Sequence, residues 1–195
     1  PPPPALPRRQ RQMCIRDSYV LRASDRRLFT LRSDQLCSNG KVTHPLGGDR
    51  FELLDIDTPT KKVVRYELDT DTGELTDATV SLDLNEDLAF PDGMIEVPGK
   101  HAVIIAMFNP ESAEMGHAKQ FCLNTGELEH VWEIPGSPQV TCPQLLRIGG
   151  EVKLVLTTAA ENMSEEKMAE HPNAGCLFVG EIDADDLGKQ PRWEL

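Results

Sequence analysis

Hydrophobic positions along this chain come in short bursts separated by polar turns. Phe51-Glu52-Leu53-Leu54-Asp55-Ile56 is one such burst. Lys62-Val63-Val64-Arg65-Tyr66-Glu67-Leu68 follows with partial period-two alternation, the pattern of half-buried strands. Asp69-Thr70-Asp71-Thr72-Gly73-Glu74-Leu75 between bursts reads as a turn, because Asp caps backbone amides and Gly accepts a positive φ. Met94-Ile95-Glu96-Val97 and residues 101–107, joined by Pro98-Gly99-Lys100, predict a hairpin. Further strands fit residues 117–123, 128–134, 152–158 and 176–182. One helix is predicted, from Ser164 to Glu170, with Asn162 and Glu165 spaced as a capping box. The chain reads as all-β.

An internal repeat narrows the architecture. Thr72-Gly73-Glu74-Leu75 returns as Thr125-Gly126-Glu127-Leu128, 53 residues later. Each copy follows a strand that ends in an aromatic and a leucine, Tyr66-Glu67-Leu68 and Phe121-Cys122-Leu123, and a third strand, Leu177-Phe178-Val179, places its aromatic 57 residues after Phe121. A β-unit recurring at roughly 40–50 residues or slightly more is the spacing of propeller blades, which must stack on neighbours to bury both faces. Only about three to three and a half blades fit, whereas closed propellers have about four to eight.

Composition removes several classes of function. Twenty Lys and Arg stand against 32 Asp and Glu, a formal charge of −12, which disfavours nucleic acid because binding it needs a basic patch. The longest apolar run, residues 102–108, has the length of a buried strand and falls far short of the ~20 residues that span a bilayer. The five cysteines (14, 37, 122, 142 and 176) show no ligand spacing and read as free thiols in a reducing compartment, so a cytoplasmic location is expected. Residues 1–18 differ from the rest: they open Pro1-Pro2-Pro3-Pro4, carry four arginines and end Met13-Cys14-Ile15-Arg16-Asp17-Ser18. That ending resembles the accidental translation of a sequencing adapter. Residues 1–18 are therefore expected to be a disordered, non-native tail, residues 19–195 the propeller part, and the native start to lie upstream.

Several stretches resemble the regucalcin (senescence marker protein)/gluconolactonase family. Leu36-Cys37-Ser38-Asn39-Gly40 is similar to its Ser-Asn-Gly segment, and Asp57-Thr58-Pro59-Thr60 running into Val63-Val64-Arg65-Tyr66 resembles the strand pair that follows. Phe90-Pro91-Asp92-Gly93-Met94 matches its Pro-Asp-Gly motif. Gln139-Val140-Thr141-Cys142-Pro143, Leu154-Val155-Leu156-Thr157-Thr158-Ala159 and Ala174-Gly175-Cys176-Leu177-Phe178 match its last blades in order. The resemblance covers roughly residues 28–183 and implies the C-terminal part of a six-bladed propeller with one divalent cation (Ca, Zn, Mg or Mn) in its channel. By position it makes Asn39 and Asp92 metal ligands and Asp92 the catalytic acid/base; the family's third ligand, a first-blade glutamate, has no counterpart. After Ser38-Asn39-Gly40 the chain departs from the family pattern, reading Lys41-Val42-Thr43-His44-Pro45.

Oxygen donors of this kind suit a hard cation with open positions for water and a carbonyl. The resemblance thus implies hydrolysis of a small-molecule sugar lactone, with no nucleic acid, membrane or obligate protein partner. The alternatives are a calcium-binding regulatory protein on the same propeller and a non-catalytic scaffold. By itself, Pro91-Asp92-Gly93 reads as a type I or II turn. His101, His117 and His130 lie in or beside strands without ligand spacing, and His171, before Pro172 in a polar loop, reads as solvated. The acidic strings at Asp69/Asp71 and Asp183/Asp185/Asp186 lack an EF-hand's Gly and Glu offsets and read as solvated turns.

Overall fold

In the computed structural model, residues 17–22 and 24–188 are described. The expectation of a tail over residues 1–18 falls, for residues 1–16, outside them. Strands β1 (Ser18–Leu21) and β2 (Leu28–Arg32) form a two-stranded antiparallel ribbon. The first blade is a meander of β3 (Ser38–Gly47), β4 (Arg50–Asp57), β5 (Lys62–Asp69) and β6 (Thr79–Asp83). The second has β7 (Phe90–Glu96), β8 (Ala102–Phe108), β9 (Met115–Cys122) and β10 (Leu128–Pro135) in the same order. The third comprises β11 (Val140–Ile148), β12 (Glu151–Thr158) and, after the short helix α1 (Glu165–Glu170), β13 (Leu177–Glu181). This is an all-β, incomplete propeller.

The two Thr-Gly-Glu-Leu copies occupy equivalent places, between the third and fourth strands of consecutive blades. Gly73 and Gly126 have φ of 78° and 76°, and each donates its amide to a strand-end carbonyl, Asp69 and Cys122 respectively, at 2.8 Å. Glycine reaches this left-handed region at no steric cost, so the sequence repeat marks the blade repeat.

Strand β8 shows what holds the blades together. Val103, Ile105 and Met107 pack into a core shared with Leu54, Ile56 and Val63 of the first blade. Ala102, Ile104 and Ala106 pack instead against Leu145, Leu154 and Leu156 of the third. Alternate side chains point to opposite faces of a strand, and here both faces are dry. Hence the unbroken apolar run. A smaller cluster of Leu53, Tyr66 and Leu68 receives Val20 and Leu31 of the β1–β2 ribbon.

The leading strands β3, β7 and β11 each pair on one side only, with β4, β8 and β12. A sheet edge tolerates proline and glycine, which a central strand does not. Pro45, Pro91 and Pro143 lie in these three strands. Helix α1 is capped by Ser164, whose Oγ accepts from the Lys167 amide at 3.2 Å. Asn162, expected as the cap, stands two residues earlier at φ 56° and belongs to the preceding turn.

Candidate functional site

The three leading strands begin at the same end of the molecule and approach one another closely. A Cβ on Gly40 in β3 would lie 2.6 Å from the Met94 amide nitrogen and 2.8 Å from the Asp92 carbonyl oxygen. One on Gly93 in β7 would lie 2.7 Å from the Thr141 carbonyl oxygen and 2.9 Å from Cys142 Cα in β11. Neither glycine has a positive φ; both are required because neighbouring backbones occupy the space of a side chain. This corrects the turn reading of Pro91-Asp92-Gly93. The tripeptide lies inside β7, with an irregular register between Pro91 and Met94 against β8, and that irregularity re-aims the intervening side chain.

Asn39 and Asp92, one residue before each glycine, are thereby brought together. The Asn39 side chain hydrogen-bonds the Asp92 carboxyl. Its Nδ2 also donates to Thr58 Oγ1 at 3.1 Å, and that hydroxyl donates to the Pro91 carbonyl at 2.9 Å. Thr58 starts the short 3-10 turn between β4 and β5, so one hydroxyl ties the first blade to the strand carrying Asp92. The departure at Lys41 is accommodated beside this pair. Lys41 Nζ lies 2.8 Å from the buried Asp55 carboxylate and donates to Ser38 Oγ at 2.6 Å.

Burial pushes the Asp92 carboxyl up to about 6, the Asn39 hydrogen bond works against this, and the charge of Glu161 adds to it. Among the described residues no Lys or Arg pairs with Asp92. Cys142 is held above its usual value by burial and then by the Asp92 charge. Thr58, Cys142 and Glu161 are the neighbours that sequence reasoning missed as site residues. The first two sat inside the quoted motifs; Glu161, in the loop after β12, carried no signal.

The donor set fits a hard divalent cation, since an amide and a carboxylate meet at one point and, among the described residues, no cationic side chain competes for the carboxylate. Among the described residues no group of three His, Cys, Asp or Glu is arranged to hold a metal. His171 departs from expectation: it is buried, 4 % exposed, rather than solvated.

The chain matches the SMP-30/gluconolactonase/LRE-like region over residues 8–160. It belongs to that family. A Bacillus subtilis (strain 168) family relative, YvrE, named as a proposed sugar lactone lactonase, is 30% identical over 145 residues, covering 73% of this chain and 46% of its own. Among solved structures, Agrobacterium tumefaciens (strain C58) regucalcin, described as a calcium-binding protein, superposes with a TM-score of 0.68 at 22% identity, over 87% of this chain and 54% of that one. A luciferin-regenerating enzyme gives 0.66 at 19%, over 85% and 52%. The SMP-30/gluconolactonase-type chain described here thus spans about half the length of the relatives it matches. Among its described residues, no helix is long and apolar enough to cross a membrane.

Proposed function

We propose that the protein containing this chain hydrolyses sugar lactones at the end of the propeller axis where Asn39 and Asp92 meet. The observation that carries the reading is a partly buried carboxyl with a pKa of about 6, held against an amide by the strand-to-strand approach at Gly40 and Gly93. The family membership and the name of the Bacillus relative support the substrate class.

When bound, a divalent cation such as Ca, Zn, Mg or Mn supplies Lewis-acid polarisation of the lactone carbonyl and charge stabilisation for its oxyanion. Asn39 Oδ1 and the Asp92 carboxylate would hold it. Asp92 also serves as proton carrier. Its carboxylate accepts the proton of the attacking water as the water oxygen bonds to the carbonyl carbon. The same carboxyl then donates that proton to the ring oxygen as the carbon–oxygen ring bond breaks, giving the open hydroxy acid. A pKa near neutrality suits a group that must both take and give a proton. Thr58 and Asn39 fix the carboxyl's position, and its partial burial beside the apolar cores that flank β7 favours the protonated form.

The test is proton release from glucono-1,5-lactone by the protein in its full reading frame, compared with Asp92→Ala and with chelator-treated protein. The expected result is loss of at least 100-fold in kcat for the variant, an amount typical of removing a general acid–base, and recovery of chelated wild type on adding a divalent cation. Unchanged turnover in both arms removes the proposal.

A further inference from the structure

The two candidate ligands sit at matching irregularities in their strands. In β3 the register against β4 slips between Ser38, opposite Asp57, and Lys41, opposite Asp55. In β7 it slips between Pro91 and Met94 against β8. Asn39 and Asp92 lie within these slips, without a partner opposite them in the ladder among the described residues. A slipped segment is held by contacts other than the ladder. At Asp92 the Thr58 hydroxyl supplies one, donating to the Pro91 carbonyl at 2.9 Å. The position in β7 that matches Lys41 is Met94, which is buried in the apolar core. At Asn39 the matching side chain is charged, and it serves the slip directly.

The Lys41 ammonium folds back over its own strand. Nζ donates to Ser38 Oγ at 2.6 Å and to the Asn39 carbonyl at 3.2 Å, and it lies 2.8 Å from Asp55 Oδ1 on β4. A lysine ammonium carries three N–H groups. Three oxygens meet it here, two from the slipped segment and one from the neighbouring strand. The anchor on β4 is fixed in turn: Asp55 is buried, its Oδ2 accepts from Gln35 Nε2 at 3.0 Å, and Arg32 Nη1 lies 3.7 Å away. Asp55 also cancels charge. An unpaired ammonium this near a cation site would repel the ion, whereas the pair adds no net charge.

We propose that Lys41 is the positioning residue for Asn39. Its ammonium bridges the slip in β3 and ties the Asn39 peptide to β4, which holds the side-chain amide where it meets Asp92 and Thr58. Lys41 is also the point at which the chain departs from the family pattern. It touches neither substrate nor ion and acts only through Asn39, so the assignment rests on reading Asn39 and Asp92 as the cation ligands of the proposed lactonase. Electrostatics and positioning predict opposite signs. Were Lys41 merely a nearby positive charge, removing it would tighten cation binding; as a clamp on Asn39, removing it weakens binding.

The experiment measures manganese(II) affinity by electron paramagnetic resonance on the protein in its full reading frame, for wild type, Ser38→Ala and Lys41→Met/Asp55→Asn. The double substitution removes one positive and one negative charge together, so it leaves no buried carboxylate unpaired. Its Kd is expected to rise about tenfold or more, and that of Ser38→Ala, which removes one acceptor of the clamp, about threefold. In the metal-free protein the Asn39 side-chain amide resonances, assigned by their loss in Asn39→Leu, are expected to move toward those of a freely rotating amide in the double variant. Unchanged or tighter manganese binding in the folded double variant, or Asn39 resonances that stay in place, would overturn the proposal. Where the double variant does not fold, Ser38→Ala decides by the same two readings. If wild type binds no manganese, the amide resonances alone decide. Lactone turnover in parallel separates the two claims. Lys41-dependent manganese binding without turnover removes the lactonase reading and leaves the clamp standing. Asp92-dependent turnover, with the double variant binding manganese as wild type does, has the reverse meaning.

Discussion

Replacing Asp92 by Asn should make the protein more stable at alkaline pH and leave it nearly unchanged at acid pH. The folded state raises this carboxyl from an ordinary 3.8 to about 6, so it binds a proton that the unfolded chain releases between those values. Stability therefore falls as pH rises through that window, and the full cost is present above pH 6. A shift of that size corresponds to about 3 kcal/mol for an enclosed group, and to about 2 kcal/mol once partial solvent access is allowed for. Asparagine is isosteric, cannot ionise and keeps a hydrogen bond to Asn39. Urea unfolding in chelator at pH 8 should give Asp92→Asn an advantage of about 2 kcal/mol at unchanged slope, and at pH 4 the two proteins should nearly coincide. A divalent cation at 100 times its Kd should then stabilise wild type at pH 8 by about 2.7 kcal/mol and the variant far less. No gain at pH 8, or an equal gain at both pH values, would refute the reasoning.

Gly93→Ala and Gly40→Ala should each destabilise by at least ~2 kcal/mol in denaturant unfolding, because the new methyl meets backbone atoms rather than a movable side chain. Thr58→Val should cost about 1–3 kcal/mol by leaving the Pro91 carbonyl and the Asn39 amide short of a partner, and should weaken cation binding in the same titration. The edge strand β13 shows Leu177 and Val179 at 69 % and 60 % exposure, an unpaired apolar edge of the kind that drives association. Sedimentation velocity on the 195-residue chain should accordingly show self-association, reduced in Leu177→Lys/Val179→Lys; a monomer at all concentrations would contradict this.

The strands that follow the leading ones were legible where they alternate or run apolar in the expected lengths, which the short β6 (Thr79–Asp83) does not. The run at 102–108 announced a buried strand, which the structure shows packed on both faces, and the repeated Thr-Gly-Glu-Leu located equivalent turns on two blades. The leading strands were not legible. Ser38–Gly47 and Val140–Ile148 carry proline and, in β3, two glycines, residues that argue against a strand unless it is known to be an edge. The same property hid the reason for Gly40 and Gly93. A glycine beside Asp or Asn signals a turn from sequence, whereas here its absent Cβ makes room for the next strand, a long-range contact. Asn39 and Asp92 were reachable only through the family resemblance, and the structure brings them together. Helix α1 was placed correctly while its cap was misassigned, since Asn162 and Ser164 both satisfy local capping rules and only backbone conformation separates them. His171 was misread because a polar, proline-flanked loop gives no sign that its histidine is covered.

Manganese(II) binding followed by electron paramagnetic resonance is the most direct measurement of whether Asn39 and Asp92 together hold a hard cation. One ion per protein, displaced by calcium and bound at least tenfold more weakly by both Asn39→Leu and Asp92→Asn, is the result predicted. Tight binding that survives both substitutions would place the cation elsewhere and contradict the account.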